Sequence, residues 1–468
     1  MKIIIKIILL PALFISQANT IKAQTAPRYR LPHYEKVLLP NGLTLFLMEK
    51  HDVPVISIAA IVPAGAVNDG DKAGLAGLTG SCLKCGTKSF TKKEIEQQFD
   101  YLGATLNTYG FNDNSGLSAR FATKDKEKIL PVIKELLTDP VFPDEEFNKE
   151  KKLTLTGLDR AKESPGSVIR SYWNKFYYGK NVYGNVVSGT VSSVSPLTAV
   201  DARDFYKKYY TPEGAVISIV GDFNTAEMQA VLTKLFGQWK KIAAPEKVIY
   251  LPVAAPANAR VLLVNKDDAR ETTFYIGSPG IERSNPDYLA VQVVNTFFGG
   301  KFTSWMNNEL RIKSGLTYGA NSFFDFNRKS GSFIISTHTA NATTEATIDK
   351  AIEVINRLHT QRIDEETLNS AKNYMIGMSP PDFQSTGQLA GLLARMFWYG
   401  FDESYINNFE ANVNAVTVTK ANDIIAKYFP QKNLQFVLIG KASEIKPIAE
   451  KYGRVTVVEL KSDIGKGF

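Results

Sequence analysis

The chain has 468 residues, 44% of them hydrophobic and 22% charged, with a formal net charge of +8. That length allows two or more domains, each with its own core, and the composition excludes a disordered or low-complexity chain. The positive excess is modest and no dense Lys/Arg block with interleaved aromatics occurs, so nucleic acid is not an expected partner.

Lys2 and Lys6 precede and interrupt an apolar run from Ile3 to Phe14, and a polar stretch then leads to Ala23. This predicts a secretory signal over residues 1–23. The run is too short to span a bilayer, and no cysteine follows Ala23 to carry a lipid, so no membrane anchor is expected. Removing the segment takes away three lysines and no acids, leaving +5. The mature chain is expected in the periplasm or outside the cell.

LTLFLMEK and VPVISIAAIV read as the first strands. Residues 74–87, GLAGLTGSCLKCGT, follow, with Gly74, Gly77 and Gly80 three residues apart on one side of a predicted helix. A face without side chains permits close approach by another backbone. It reads either as a contact surface toward a partner or peptide, or as a frayed segment. Cys82 and Cys85 are the only cysteines. They read as two small apolar residues one turn apart, although export would permit a disulfide and a thiol-based activity is a further alternative. GATLNTYG, with Asn107, reads as a strand, and EEFNKEKKLTLTGLDRAKESP as a helix carrying Gly157.

Residues 194–221 and 413–440 align without gaps at an offset of 219, pairing Val194, Leu197, Lys208, Tyr209 and Gly221 with Val413, Val416, Lys427, Tyr428 and Gly440. Each copy reads as an amphipathic helix, a turn and an apolar strand ending in glycine. This spacing predicts a duplicated domain, with units over 35–240 and 258–460 and a Pro/Ala-rich linker over 241–257. RVLLVNK and TTFYIGSP open the second half as strands. Strands and helices mix without strict alternation, which predicts α+β layers: in each half a mostly antiparallel sheet with helices on one face.

In the second half, residues 299–318 read GGKFTSWMNNELRIKSGLTY. Thr303 or Ser304 is expected to cap a helix, with Phe302, Trp305, Met306 and Leu310 as its apolar face. Gly315 is expected to end that helix, and Leu316-Thr317-Tyr318 to begin a strand. His33, His51, His338 and His359 are scattered and form neither a metal set nor a triad.

Taken together, these motifs resemble the insulinase-type (pitrilysin-like, M16) metallopeptidases, over residues 35–450. That family carries His-x-x-Glu-His within a Gly-Leu-Ala…Gly-Thr frame, two histidines on one helical face holding zinc while the glutamate activates water. The frame persists as Gly74-Leu75-Ala76 and Gly86-Thr87, but the motif positions are Gly77, Gly80 and Ser81. The third ligand, a glutamate seventy to eighty residues onward, matches Gly157. The resemblance therefore implies the family fold with a dismantled metal site and no zinc in this chain. Restoring the four residues would be expected to return at least weak binding.

Arg311 and Tyr318 match the family's second-half pair, which reaches a zinc site across a cleft, binds substrate and stabilises the oxyanion. Asn107 matches an asparagine of the cleft-lining strand, a substrate-binding position. Ser379-Pro380-Pro381-Asp382-Phe383 resembles a structural turn of the family. Losing the first-half chemistry while keeping the second-half pair implies a non-catalytic subunit that assembles with a zinc-bearing M16 partner acting on peptides. The alternative is a peptide-binding or scaffold protein outside proteolysis.

Overall fold

The computed structural model describes residues 29–242, 248–253, 255–379 and 383–461. The expected secretory segment lies outside them, as do residues 243–247 and 254 of the expected linker and Pro380, Pro381 and Asp382 of the turn.

The apolar runs of the first half form β1 (Glu35–Leu38), β2 (Thr44–Glu49), β3 (Val55–Val62), β4 (Thr105–Gly110), β5 (Ser115–Ala122) and β6 (Val216–Gly221). They build one six-stranded sheet in the order β1-β2-β6-β3-β5-β4. The second half supplies β7 (Arg260–Asn265), β8 (Glu271–Pro279), β9 (Ala320–Phe326), β10 (Gly331–Ala340), β11 (Gln435–Gly440) and β12 (Arg454–Glu459). These form a second six-stranded sheet, β12-β7-β11-β8-β10-β9. Both sheets are mixed and mostly antiparallel: β2 runs parallel to β6 in the first, and β7 runs parallel to β11 and β12 in the second. Two α+β domains of the expected kind result.

The repeat emerges in register. The Ala199–Tyr209 helix and β6 in one half correspond to the Val418–Tyr428 helix and β11 in the other, at the 219-residue offset. The edge strands β1 and β12 break the symmetry, since one precedes its half and the other ends it.

Strands β2, β3, β6 and β11 are buried almost throughout, which requires cover on both faces of each sheet. One face of the first sheet, with Leu45, Leu47, Ile58 and Ile219, packs on helices of its own half. Its other face, with Phe46, Met48, Ile61 and Val220, packs on Leu389, Leu393 and Trp398 of the Thr386–Tyr399 helix from the second half. The second sheet receives the reciprocal helix, Pro165–Tyr178, whose Ile169, Tyr172, Trp173 and Phe176 cover Leu262, Val264, Tyr275 and Val437. Trp173 lies directly on Gly277, where an added Cβ would meet the indole at 2.4 Å, and its Nε1 donates to Ser332 Oγ at 3.2 Å. Each half thus lends one helix to the other's sheet, beyond the single helical layer read from the sequence. No helix among the described residues is long and apolar enough to cross a membrane.

Candidate functional site

The glycine-rich segment folds as a short helix, Leu75–Ser81. Its start is fixed by Asp69, whose carboxylate accepts from the amides of Gly74 (2.9 Å) and Ala76 (2.8 Å), while Gly74 takes the left-handed φ of +98° that turns the chain into the helix. Burial pushes the Asp69 carboxyl up to about 8, against the pull of the amides of Ala76, Gly74 and Leu75. A 3-10 turn, Cys82–Cys85, continues the helix, and its two cysteines are fully buried and joined by a disulfide. The pair is therefore more than two small apolar residues, and no free thiol serves a reaction.

The glycine face is filled by the chain itself. A Cβ on Gly77 would lie 2.4 Å from the carbonyl oxygen of Val187, one on Gly80 would lie 2.4 Å from that of Tyr109, and one on Gly74 would meet Gly189 Cα at 2.9 Å. Thr108 Oγ1 donates to the Ser81 carbonyl at 2.9 Å, tying β4 to the helix end. Neither a frayed segment nor a free contact surface is present: the glycines admit the 186–189 loop and β4 at backbone distance.

A cavity of about 870 Å³ opens beside this helix, between the two halves. Gly77 and Ser81 reach its wall and Gly80 does not. Gly157 is exposed, outside the lining, with nothing within 4 Å of its Cβ position; Thr154, one helical turn earlier, holds the place on the wall. Asn107 is exposed on the edge strand β4, opposite Ser118, while Thr108, Tyr109 and Gly110 line the cavity. Zinc does not fit these residues: Gly77 offers no donor, a carbonyl occupies its side-chain space, and no group of three His, Cys, Asp or Glu side chains among the described residues is arranged to hold a metal. Side chains restored at residues 77 and 80 would overlap the carbonyl oxygens of Val187 and Tyr109, which opposes rebuilding the motif.

The second-half motif lies elsewhere. Ser304 caps a helical turn through Asn307 N–H at 3.3 Å, and a π-helical stretch, Asn308–Lys313, follows. Met306 and Leu310 are buried as expected, whereas Phe302 is exposed. Gly315, at φ +63°, ends the helix, but the strand begins at Ala320, so Tyr318 sits in the connection before it. Thr317 Oγ1 accepts from Gly319 N–H at 3.2 Å and holds that connection off the ladder.

Tyr318 is 83% exposed, and the Arg311 guanidinium lies 4.8 Å from the ring centre of Phe302. Neither the Arg311 nor the Tyr318 side chain makes a hydrogen bond or ion pair among the described residues. The cavity touches β9 at its far end, at Asp325 and Phe326, about 20 Å of strand away from Tyr318. Arg311 and Tyr318 are therefore not brought together with Gly77 and Ser81 inside one chain.

Sequence reasoning missed the polar groups that close the cavity. Asp113 accepts from Tyr183 OH at 2.8 Å and from Arg328 N–H at 3.1 Å, and burial raises its carboxyl while these donors oppose the shift. Arg170 pairs with Asp325, and Arg395 projects from the borrowed Thr386–Tyr399 helix. Nothing in their local sequence marks them, because they converge only after the helices are exchanged.

Two family models match the chain: "Insulinase (Peptidase family M16)" over residues 45–191 and "Peptidase M16 inactive domain" over residues 196–375. An "uncharacterized zinc protease" of Rickettsia felis is 25% identical over 342 residues, covering 72% of this chain and 81% of that protein. Among solved structures, a peptidase M16 inactive domain from Pseudomonas fluorescens superposes with a TM-score of 0.81 at 25% identity, covering 87% of this chain and 98% of that one. A protease from Helicobacter pylori gives 0.81 at 20% identity, covering 88% and 100%. With two duplicated α+β domains, the retained frame around a metal-less helix and both family models matched, the chain belongs to the insulinase (M16) peptidase family, as a member without the metal ligands.

Proposed function

We propose that this chain is the non-catalytic subunit of an exported heteromeric zinc peptidase. Its zinc-bearing M16 partner supplies the metal and the base, and this chain supplies Arg311, Tyr318 and a wall of the substrate cleft. The observation that carries the reading is the exposure of Tyr318, on a stretch that lies outside the lining of the cavity beside this chain's own metal-less helix. An exposed hydroxyl and a guanidinium that makes no ion pair among the described residues support a role toward a reaction centre on another chain. The exposure of Asn107 on the edge strand β4 supports contact with an extended peptide. Export accords with the charged and apolar start of the chain and with the Cys82–Cys85 disulfide, a bond that persists in oxidising compartments.

Affinity purification of the tagged chain from its native source, followed by mass spectrometry, tests this. Recovery of a family member with intact His-x-x-Glu-His supports it, and recovery of the chain alone from active extracts contradicts it. A second reading, a peptide-binding protein outside proteolysis, is favoured by the large cavity that this chain forms by itself.

A further inference from the structure

The connection from Leu316 to Gly319 leaves the sheet where it presents Tyr318. The ladder between β9 and β10 ends at the Ala320–Thr337 pair, and the same register carried further would set Tyr318 opposite Thr339. In place of ladder bonds, side chains of β10 take the carbonyls of the connection. Thr339 Oγ1 donates to the Leu316 carbonyl at 2.6 Å. Thr337 Oγ1 donates to the Gly319 carbonyl at 2.9 Å and lies 3.0 Å from Thr317 Oγ1. Thr337 and Thr339 are two residues apart on one strand, so they share a face of the sheet.

The far end is held from the helix side. Asn307 accepts from the Ala320 amide through Oδ1 at 3.2 Å and donates through Nδ2 to the Phe302 carbonyl at 2.7 Å. Phe302 is the residue whose ring lies against the Arg311 guanidinium. One side-chain amide thus ties the start of β9, just past Tyr318, to the platform of Arg311. Asn307, Thr317, Thr337 and Thr339 are all buried, whereas the Tyr318 side chain stands in solvent. Buried polar groups are costly unless satisfied, and a satisfied network fixes one conformation. A surface tyrosine gains no packing from so fixed a backbone, while one that must meet a reacting atom gains accuracy.

We propose that Thr337 and Thr339 are positioning residues, which hold Tyr318 in a fixed place relative to Arg311 for the reaction. Both are buried, so they act through Tyr318 and not on substrate. The catalytic part of this role rests on the reading of the chain as the subunit that completes a zinc-bearing partner's site. The fixed backbone belongs to this chain alone.

Two measurements keep those parts separate. On the isolated protein, hydrogen exchange read by mass spectrometry compares wild type with the Thr337→Val, Thr339→Val pair, which removes both hydroxyls at nearly constant shape. Residues 316–320 are expected to exchange roughly ten-fold faster, the scale of losing one or two hydrogen bonds, and the pair Thr337→Ser, Thr339→Ser to keep wild-type protection. Thr339→Val alone carries the same comparison if the valine pair does not fold. In the complex with the zinc-bearing family member recovered by affinity purification, the valine pair is expected to lower kcat about ten-fold at unchanged KM, and the serine pair to retain it. Added to Tyr318→Phe, the valine pair is expected to cost less than about two-fold more, because it acts through the same hydroxyl. Unchanged exchange over 316–320 would overturn the proposal. So would full kcat in the valine pair where Tyr318→Phe lowers it, or losses that multiply in the combined variant. Full turnover in Tyr318→Phe would instead overturn the subunit reading and the catalytic part with it, leaving the exchange comparison to decide the fixed backbone.

Discussion

Asn112 and Asn327 hydrogen-bond to each other at 3.0 Å, joining the tip of the β4–β5 hairpin to the tip of the β9–β10 hairpin. Each stands seven residues after the first residue of its edge strand, Thr105 or Ala320, so the two are counterparts meeting where the duplicated domains face one another. Beside them Asp113 takes the Arg328 amide. Duplication thus supplies a self-complementary contact, and the exchanged helices extend it on either side.

The exchange predicts that the halves do not unfold separately. Leu393 is fully buried against the other half's sheet, so Leu393→Ala is expected to cost about 2–5 kcal/mol. Hydrogen exchange should then show lost protection in β3 and β6, far away in sequence. Loss confined to the second half would contradict the exchange.

The filled glycine face predicts that the metal site cannot simply be rebuilt. Untagged protein is expected to contain no stoichiometric zinc. The variant carrying Gly77→His, Gly80→Glu, Ser81→His and Gly157→Glu should remain zinc-free and lose stability, about 1–3 kcal/mol for each overlap at residues 77 and 80. Elemental analysis and denaturant titration read both effects, and about one zinc per chain in the variant would refute the account.

Acid stability should depend on Asp287. Its carboxylate accepts from Lys420 Nζ at 2.6 Å, Tyr428 OH at 2.7 Å and Lys427 Nζ at 3.1 Å, which hold its pKa well below the usual carboxylate range. A depressed carboxylate contributes stability above its unfolded pKa of about 4 and loses it as pH falls. Asp287→Asn is therefore expected to lower the neutral-pH melting temperature by roughly 1 °C, the scale of about 1 kcal/mol in a chain of 468 residues that unfolds as one unit. The variant's melting temperature should also fall less steeply below about pH 4. An unchanged acid limb would remove the role.

Lys427 and Tyr428 are among the residues that revealed the repeat, and the structure shows why they were legible: helix, turn and buried strand recur as one unit with fixed spacing. The strands could be read for the same reason, since β2 and β6 are apolar on both faces. Which helix covers which sheet could not be read. The amphipathic pattern of residues 165–178 marks an apolar face and carries no address for its partner. At the site, Gly77 was legible as a lost ligand, but its occupation by the Val187 carbonyl depends on a loop more than a hundred residues later. Tyr318 fell outside the predicted strand because the Thr317 hydroxyl satisfies the backbone locally in place of the ladder.

The most direct measurement of the central claim is peptide hydrolysis by the complex of this chain with a zinc-bearing family partner, comparing wild type with Tyr318→Phe. The substitution removes one hydroxyl from an exposed side chain, so assembly and melting temperature should hold. Turnover should fall by roughly ten- to a thousand-fold, the scale for losing one oxyanion donor, and Arg311→Ala should weaken substrate binding as well. Undiminished turnover by an intact complex carrying Tyr318→Phe would contradict the claim that this chain completes its partner's active site.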